Sequence, residues 1–234
     1  METLLGGRIS TPFTDLDRRV SETVSCGIDA IDSLTGGLPR GAVTEVFGLP
    51  SSGKTSILLS ILAAATGRGE ICALVDGSDA FAPECGENAG IDLTRLLWVR
   101  CHNLDQTLKV TDLLLQSGGF GVIAMDLSDL PLAAIQSVPL ATWFRFQRSI
   151  EKTPTMLTLI SQEGVAKTCA SLALHAHGAG FETKNPAPSF SILMDRLQPI
   201  VEVVRNRSRQ FSLHSQSHVR FNLHSSFSSP GTRS

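Results

Sequence analysis

The sequence of 234 residues has no tyrosine, two tryptophans and an aromatic share of only 6%. Side chains on which nucleic-acid bases stack are therefore few, which disfavours a single-strand binder built on aromatic platforms. No apolar run approaches the roughly 18 residues that a membrane-spanning helix needs, and no basic segment followed by an apolar core marks a signal peptide. These absences predict a cytoplasmic protein without a membrane segment.

Cysteines are few, odd in number and scattered. None of the five forms a C-x-x-C pair, which disfavours both a disulfide framework and a cysteine-based zinc motif. Cys72 falls within a predicted strand, where a free thiol behaves as a small apolar side chain. This usage favours a reducing compartment such as the cytoplasm.

Acidic residues are missing from the C-terminal end. The whole chain has a formal charge of −2, yet from Val203 onward there are five arginines and no acidic residue. The rest holds 15 Lys and Arg against 22 Asp and Glu, a formal charge of −7. The basic end predicts weak contact with DNA or with an acidic partner surface, and a solvated, disordered end explains it equally well. Its arginines are Arg205, Arg207, Arg209, Arg220 and Arg233.

The strongest positive signal is the run from Gly48 to Thr55, which reads Gly-Leu-Pro-Ser-Ser-Gly-Lys-Thr and fits the G-x-x-x-x-G-K-[ST] pattern of a P-loop. The apolar, β-branched segment 42–47 before it predicts a strand, and the Leu-, Ala- and Ile-rich segment 56–65 after it predicts a helix. A strand–loop–helix frame is the context in which this pattern binds phosphate. An ordinary glycine turn that caps a helix is the alternative.

The P-loop residues have distinct expected roles toward a nucleoside triphosphate. Gly48 and Gly53 allow backbone N–H groups to turn toward one anion at the positive end of a helix dipole. Lys54 is expected to reach the β- and γ-phosphates, and the Thr55 hydroxyl is expected to hold Mg²⁺. The residues predicted to bind the nucleotide are Gly48, Ser51, Ser52, Gly53, Lys54, Thr55 and Ser56.

Strands and helices are predicted to alternate along most of the chain. Further helices are expected over 25–34, 83–89, 103–116 and 139–151, and strands over 71–75, 96–100, 122–125 and 156–160. After these, segments 171–175, 191–197 and 200–205 predict strands with no helix between them. The order predicts an α/β fold with a mostly parallel sheet, helices on both faces and a β-rich C-terminal extension. The expected organisation is an N-terminal arm over 1–23, a core over 24–205 and a disordered, basic, Ser-rich tail over 206–234.

Two helices carry more detailed expectations. Asn103 and Gln106 predict a capping box at the start of the helix over 103–116. The helix over 139–151 is expected to turn four apolar side chains inward and three basic ones outward. The inward residues are Leu140, Trp143, Phe144 and Ile150, and the outward ones are Arg145, Arg148 and Lys152.

Polar residues follow three predicted strands at one expected edge of the sheet. Asp126, after the strand over 122–125, is predicted to hold Mg²⁺ with Thr55, the alternative being a cap of the following turn. Gln162 is in place to sense a γ-phosphate, and a plain loop role explains it almost as well. Asp76 and Asp79 follow the strand over 71–75, and either is a candidate base that positions water, with turn formation as the alternative.

A pair of histidines in the segment over 171–177 is a weaker signal. His175 and His177 lie two residues apart and so share one face of a strand. The sequence shows no third ligand beside them, so a metal site is not predicted there.

These motifs together resemble the ATPase core of the RecA recombinases. The resemblance rests on 27–41, 48–55, 72–83, 122–126 and 160–162, and covers roughly residues 24–205. The chain is most similar to small RecA-like proteins of the ImuA type, which accompany error-prone translesion polymerases and lack the N-terminal helical and C-terminal domains of RecA. The resemblance implies binding of ATP and Mg²⁺ and a role in DNA repair, recombination or the SOS response.

The chain departs from the RecA pattern at three places. Ser78 stands where that family has the glutamate that acts as general base, and a hydroxyl cannot take a proton from water at neutral pH as a carboxylate does. Ala82 and Cys85 replace the Asp and Tyr that contact adenine. The two DNA-binding loops are shortened, the first to a turn between Leu130 and Val138.

The resemblance and the departures leave three hypotheses. The first is an ATP-binding accessory of DNA repair with weak or no hydrolysis, whose partner is a translesion polymerase or a RecA filament. The second is an active DNA-dependent ATPase or recombinase in which Asp79, with Gln162, substitutes for the missing glutamate. The third is a scaffold whose P-loop is only structural. Self-association into a homo-oligomer stays open.

Overall fold

The computed structural model describes residues 22–178, 200–207 and 218–220. Its described part is an α/β fold in which a mostly parallel sheet lies between helices, and the predicted fold class is confirmed. No helix in these ranges is long and apolar enough to cross a membrane.

The described chain forms two sheets. The smaller one pairs β1 (Thr23–Val24) with β2 (Leu38–Pro39). The strands of the larger sheet are β3 (Val43–Phe47), β4 (Cys72–Asp76), β5 (Leu96–Arg100), β6 (Val122–Asp126), β7 (Met156–Ser161), β8 (Ala170–His177), β9 (Ile200–Asn206) and β10 (His218–Arg220). They lie in the order β10-β9-β8-β3-β7-β6-β4-β5. Strands β3 to β8 are mutually parallel, whereas β9 pairs in antiparallel fashion with both β8 and β10 at one edge.

Six α-helices occur in the described ranges, and the longer ones cover the two faces of the sheet. They are α1 (Asp29–Thr35), α2 (Lys54–Gly67), α3 (Pro83–Asn88), α4 (Leu104–Ser117), α5 (Leu132–Gln136) and α6 (Leu140–Ile150). One core packs α1 and α2 against one face, and a second core packs α4 and α6 against the other. Neighbouring residues of one strand enter opposite cores, because successive side chains of a strand point to opposite faces. In β6, Ala124 joins the first core and Met125 the second.

Several helix boundaries differ from the sequence expectation. Helix α2 covers Lys54–Gly67 and so extends beyond both ends of the segment 56–65 that was predicted to be helical. Helix α1 begins at Asp29 instead of Ser25, because the Asp32 carboxylate accepts from the Ser25 hydroxyl and the Cys26 N–H and so fixes a turn ahead of the helix. The short helix α5 occupies the segment predicted as a plain turn.

The predicted capping box of α4 is half formed. Asn103 caps the helix by accepting from the Gln106 N–H at 2.9 Å. The Gln106 side chain reaches one residue further back, to the N–H of His102, at 2.9 Å. Both side chains therefore satisfy N–H groups at the start of the helix, although the pair is not strictly reciprocal.

The inward face of α6 was predicted wrongly at two positions. Trp143 and Ile150 are buried as expected, but Leu140 is 38% exposed and Phe144 is 39% exposed. Phe146, which was not predicted to face inward, is fully buried. Position 146 lies three residues from 143 and four from 150, so the true buried stripe follows the helical period more closely than the predicted one.

The C-terminal strands are longer than predicted. Strand β8 extends to His177 and β9 to Asn206, and the two pair in antiparallel fashion. The strand predicted over 191–197 lies outside the described residues, as does most of the predicted arm. Within the segment predicted as a disordered tail, residues 218–220 form β10 against β9.

Candidate functional site

The P-loop follows β3 at the carboxyl edge of the sheet. Ser51 and Gly53 both have positive φ, of 63° and 88°, so the loop turns sharply before α2 begins at Lys54. The entry is tight at Gly48, because a Cβ there would lie 2.2 Å from the Ala176 carbonyl oxygen of β8. Only glycine fits at this position, so the contact accounts for the first glycine of the motif.

The first turn of α2 presents unpaired backbone donors. The N–H groups of residues 53–56 donate to no acceptor within the described part of the chain. Ser52 is 1% exposed, and its hydroxyl is buried without a hydrogen-bond partner among the described residues. Free donors at a helix N-terminus, together with the positive end of the dipole, form a site for an anion such as phosphate.

Lys54 completes the cradle. Its side chain is only 5% exposed, and Nζ donates to the Leu49 carbonyl at 3.3 Å. Burial lowers the pKa of this ammonium, while the carboxylates of Asp126 and Asp129 oppose the shift. The lysine is thus held against the loop, beside the phosphate position that the motif assigns to it.

Asp126 lies at the end of β6, where its backbone pairs with Asp76 of β4 and Ile160 of β7. Burial raises the pKa of its carboxyl group, the Ser128 N–H lowers it through a 2.9 Å hydrogen bond, and the charge of Asp76 raises it further. A half-buried carboxylate beside another acidic group is stabilised by a cation.

The oxygen ligands available at the site fit Mg²⁺. Thr55 is exposed at the start of α2 and its hydroxyl makes no hydrogen bond within the described ranges. A threonine hydroxyl and a carboxylate are hard oxygen ligands of the kind that Mg²⁺ takes beside a bound phosphate. Thr55 and Asp126 are the residues that would hold the ion.

Gln162 follows β7 and is tied to the loop after Asp126. Its Nε2 donates to the Ser128 carbonyl at 2.8 Å. The side chain thereby connects the ends of β6 and β7, next to the P-loop strand β3. A ligand that moved Gln162 would release this link.

The two acidic residues after β4 have different environments. Asp76 is 1% exposed and accepts from three backbone N–H groups, those of Ser78, Ala80 and Phe81, and from the Trp98 indole. Its carboxylate thus fixes the shape of the loop over 77–81. Among these loop residues, the Ser78 hydroxyl is buried without a partner.

Asp79 is bound by a cation. Arg100 of β5 donates to both carboxylate oxygens, at 2.5 Å and 2.6 Å. This hydrogen-bonded pair lowers the pKa of Asp79. A carboxylate with a lowered pKa is a weaker base, because its conjugate acid forms less readily.

Glu45 is a buried charge that the sequence analysis did not single out. It lies in β3 at 2% exposure and accepts from the N–H groups of Val165 and Ala166, at 2.6 Å and 2.9 Å. Burial raises its pKa, and these two hydrogen bonds act in the opposite direction. The glutamate anchors the loop after Gln162 to the P-loop strand. An acidic residue inside the apolar run over 42–47 was the available signal.

The basic end is not one flexible segment. Arg205 lies in β9 and donates to the Lys167 carbonyl, and Arg220 lies in β10. Arg207 follows β9 and is exposed, while positions 209 and 233 fall outside the described ranges.

A mostly parallel sheet with a P-loop between its central strand and the following helix, and with an acidic residue at the end of a nearby strand, defines a P-loop nucleotide-binding core. The chain belongs to the RecA family, since its residues 10–136, more than half of its length, match the RecA N-terminal domain. This agrees with the resemblance drawn from the motifs.

Similar proteins include three bacterial RecA proteins, each matched over 107 residues or 45% of this chain. Protein RecA of Wigglesworthia glossinidia brevipalpis is 38% identical over 32% of its own length. The RecA proteins of Brucella canis and Rhizobium rhizogenes are each 40% identical over 30% of theirs. The matched part of the chain thus spans about a third of these curated relatives.

Proposed function

We propose that this chain binds ATP with Mg²⁺ and acts in DNA repair or recombination as a nucleotide-responsive accessory with weak or no hydrolysis. The cradle at the start of α2 carries the proposal: it offers four unpaired N–H groups and a buried lysine to a phosphate. Asp126 supplies a carboxylate for the cation that accompanies the phosphate. Any α-helix leaves its first N–H groups unpaired, so the P-loop pattern and the buried Lys54 beside them are what favour nucleotide binding here.

The accessory role is supported by the loop after β4. Ser78 has no carboxylate to accept a proton, and Asp79, the alternative base, is bound by Arg100. Slow turnover would let bound ATP act as a lasting signal to a partner. By its resemblance to proteins of the ImuA type, we place the chain in the cytoplasm beside a translesion polymerase or a RecA filament.

A melting experiment tests nucleotide binding. ATP with Mg²⁺ at a hundredfold excess over Kd should stabilise the fold by about 2.7 kcal/mol. Lys54→Ala should remove most of the shift in Tm without altering the apo protein. Lys109→Ala, in which an exposed lysine of α4 is lost, is the matched control. An unchanged shift in Lys54→Ala would contradict the assignment.

Direct binding of DNA is expected to be weak, because the body carries a formal charge of −7 and most affinity must come from the basic end. Replacing Arg207, Arg209 and Arg233 by Gln leaves β9 and β10 intact. This triple change should flatten the dependence of log K on log salt for single-stranded DNA by about 2, at roughly 0.7 per phosphate. Arg145→Gln with Arg148→Gln, on α6, is the control.

Tight, salt-resistant and ATP-dependent attachment to single-stranded DNA by the triple variant would overturn the accessory role. Such attachment would reveal a recombinase-type groove in the body of the chain. If the triple change failed to flatten the salt dependence, the result of the ATP melting experiment would still stand. The two parts of the proposal are therefore tested separately.

A further inference from the structure

We propose that His175, His177 and Glu202 form a binding site for one Zn²⁺ ion at the β8–β9 edge of the sheet. No third ligand was predicted for the histidine pair, but the antiparallel pairing of β9 with β8 provides one. Glu202 lies directly opposite His175 in the register of the two strands. One ligand atom from each of the three side chains lies within 4.8 Å of the others.

The arrangement follows from strand geometry. Residues two apart on a strand point to the same face, and a residue opposite them on the neighbouring strand points there too. The two imidazole ring centroids are 4.0 Å apart, and His177 Nε2 lies 3.2 Å from the Glu202 carboxylate. Small rotations of the side chains would bring three ligand atoms to about 2.0–2.2 Å from a shared ion.

The ligand chemistry favours zinc. Two imidazole nitrogens and one carboxylate oxygen suit a borderline-soft ion with tetrahedral preference, and three protein ligands leave a fourth position for water or another ligand. Zn²⁺ binds imidazole in its neutral form.

The proposed site is also contacted by a residue of β3, the strand that precedes the P-loop. The ring of Phe47 stacks on His175, with centroids 4.7 Å apart and planes at 13°. Phe47 is the last residue of β3, immediately before Gly48. Such packing fixes the orientation of a ligand imidazole, as an outer-shell partner does in zinc proteins.

The test uses Zn²⁺ alone on the untagged full chain in a Cys85→Ser background, because Cys85 is an exposed thiol able to bind the ion elsewhere. Calorimetry should find one equivalent of Zn²⁺ per chain. His175→Gln, His177→Gln and Glu202→Gln should each weaken binding by at least about 100-fold, the upper end of what the loss of an outer-shell partner costs. His102→Gln, at an exposed histidine of the same protein, should leave binding unchanged.

A second readout is the visible spectrum with Co²⁺ in place of Zn²⁺, since four-coordinate Co²⁺ absorbs far more strongly than six-coordinate Co²⁺. Absence of saturable Zn²⁺ binding to the unsubstituted chain would overturn the proposal whatever the variants do. Equal binding in Glu202→Gln and its parent would also overturn it, because the His177–Glu202 contact would then be an ordinary hydrogen bond.

Discussion

Two loops at the same edge of the sheet treat their backbone donors in opposite ways. After β3, the P-loop leaves the N–H groups of residues 53–56 unpaired within the described chain. After β4, the loop over 77–81 directs three N–H groups to one buried carboxylate, that of Asp76. The donors of the first loop are available to a bound phosphate. The donors of the second loop are already paired with the Asp76 carboxylate.

The difference indicates that the donors of the P-loop serve ligand binding, whereas those of the loop over 77–81 serve folding. An unpaired donor at a helix end is tolerated because water reaches it, and it becomes useful when a phosphate replaces that water. A carboxylate that is 1% exposed requires donors in the folded state, because a buried charge without them is strongly unfavourable. We therefore expect changes in the two loops to affect different measurements.

The largest expected effect is on stability, from Asp76→Ala. Four donors, the three backbone groups and the Trp98 indole, lose their acceptor, and at about 1 kcal/mol each the free energy of unfolding should fall by about 4 kcal/mol. Urea unfolding measures the loss. Asp79→Ala, which removes a half-exposed carboxylate from the same loop, is the control and should leave the midpoint almost unchanged. Equal losses in both variants would contradict the distinction.

The next effect is on turnover, from Ser78→Glu. General-base catalysis contributes typically 10²–10⁴ in rate, so the variant should hydrolyse ATP at least about 100-fold faster, equivalent to about 3 kcal/mol of barrier. The shape of the loop should survive because Asp76 fixes it. Ser78→Gln matches the new side chain in size without a carboxylate and should remain slow. A wild-type chain that already turns over rapidly would point to Asp79 or another base.

A smaller effect is expected from Asp126→Asn in the protein without nucleotide. Burial raises the pKa of this carboxyl in the fold, so its contribution to stability is greatest below the unfolded pKa and declines as pH rises through the folded pKa. The variant should therefore be more stable than wild type at pH 7, with the difference vanishing in acid. It should also lose the Mg²⁺-dependent part of the ATP shift. Asp129→Asn, at an exposed acidic neighbour, is the control for the melting curves.

The smallest expected effect concerns Arg100→Ala. The change frees Asp79, whose pKa should rise toward its ordinary value. We expect no measurable change in melting temperature, because the pair is exposed and such pairs contribute little. A rise in ATP turnover would show that Arg100 restrains a latent base, and would favour the active-ATPase alternative.

Local patterns allowed much of this structure to be predicted from the sequence. The P-loop, the strand that ends at Asp126 and the parallel sheet follow from short apolar runs and glycine spacing, which act within a few residues. Contacts between distant segments were not accessible. The opposition of Glu202 to His175 depends on the pairing of β9 with β8, and the capture of Asp79 by Arg100 depends on the pairing of β4 with β5. The burial of Phe146 instead of Phe144 could have been predicted, because position 146 fits the helical period with Trp143 and Ile150 better than position 144 does.

The loop after β4 also bears on how such a chain evolves. Its shape depends on the Asp76 carboxylate, whereas residue 78 contributes a hydroxyl that bonds to nothing in the described part of the chain. Selection for a folded protein and selection for hydrolysis therefore act on different residues of one short loop. A change at position 78 can therefore alter hydrolysis while the fold is kept, in either direction.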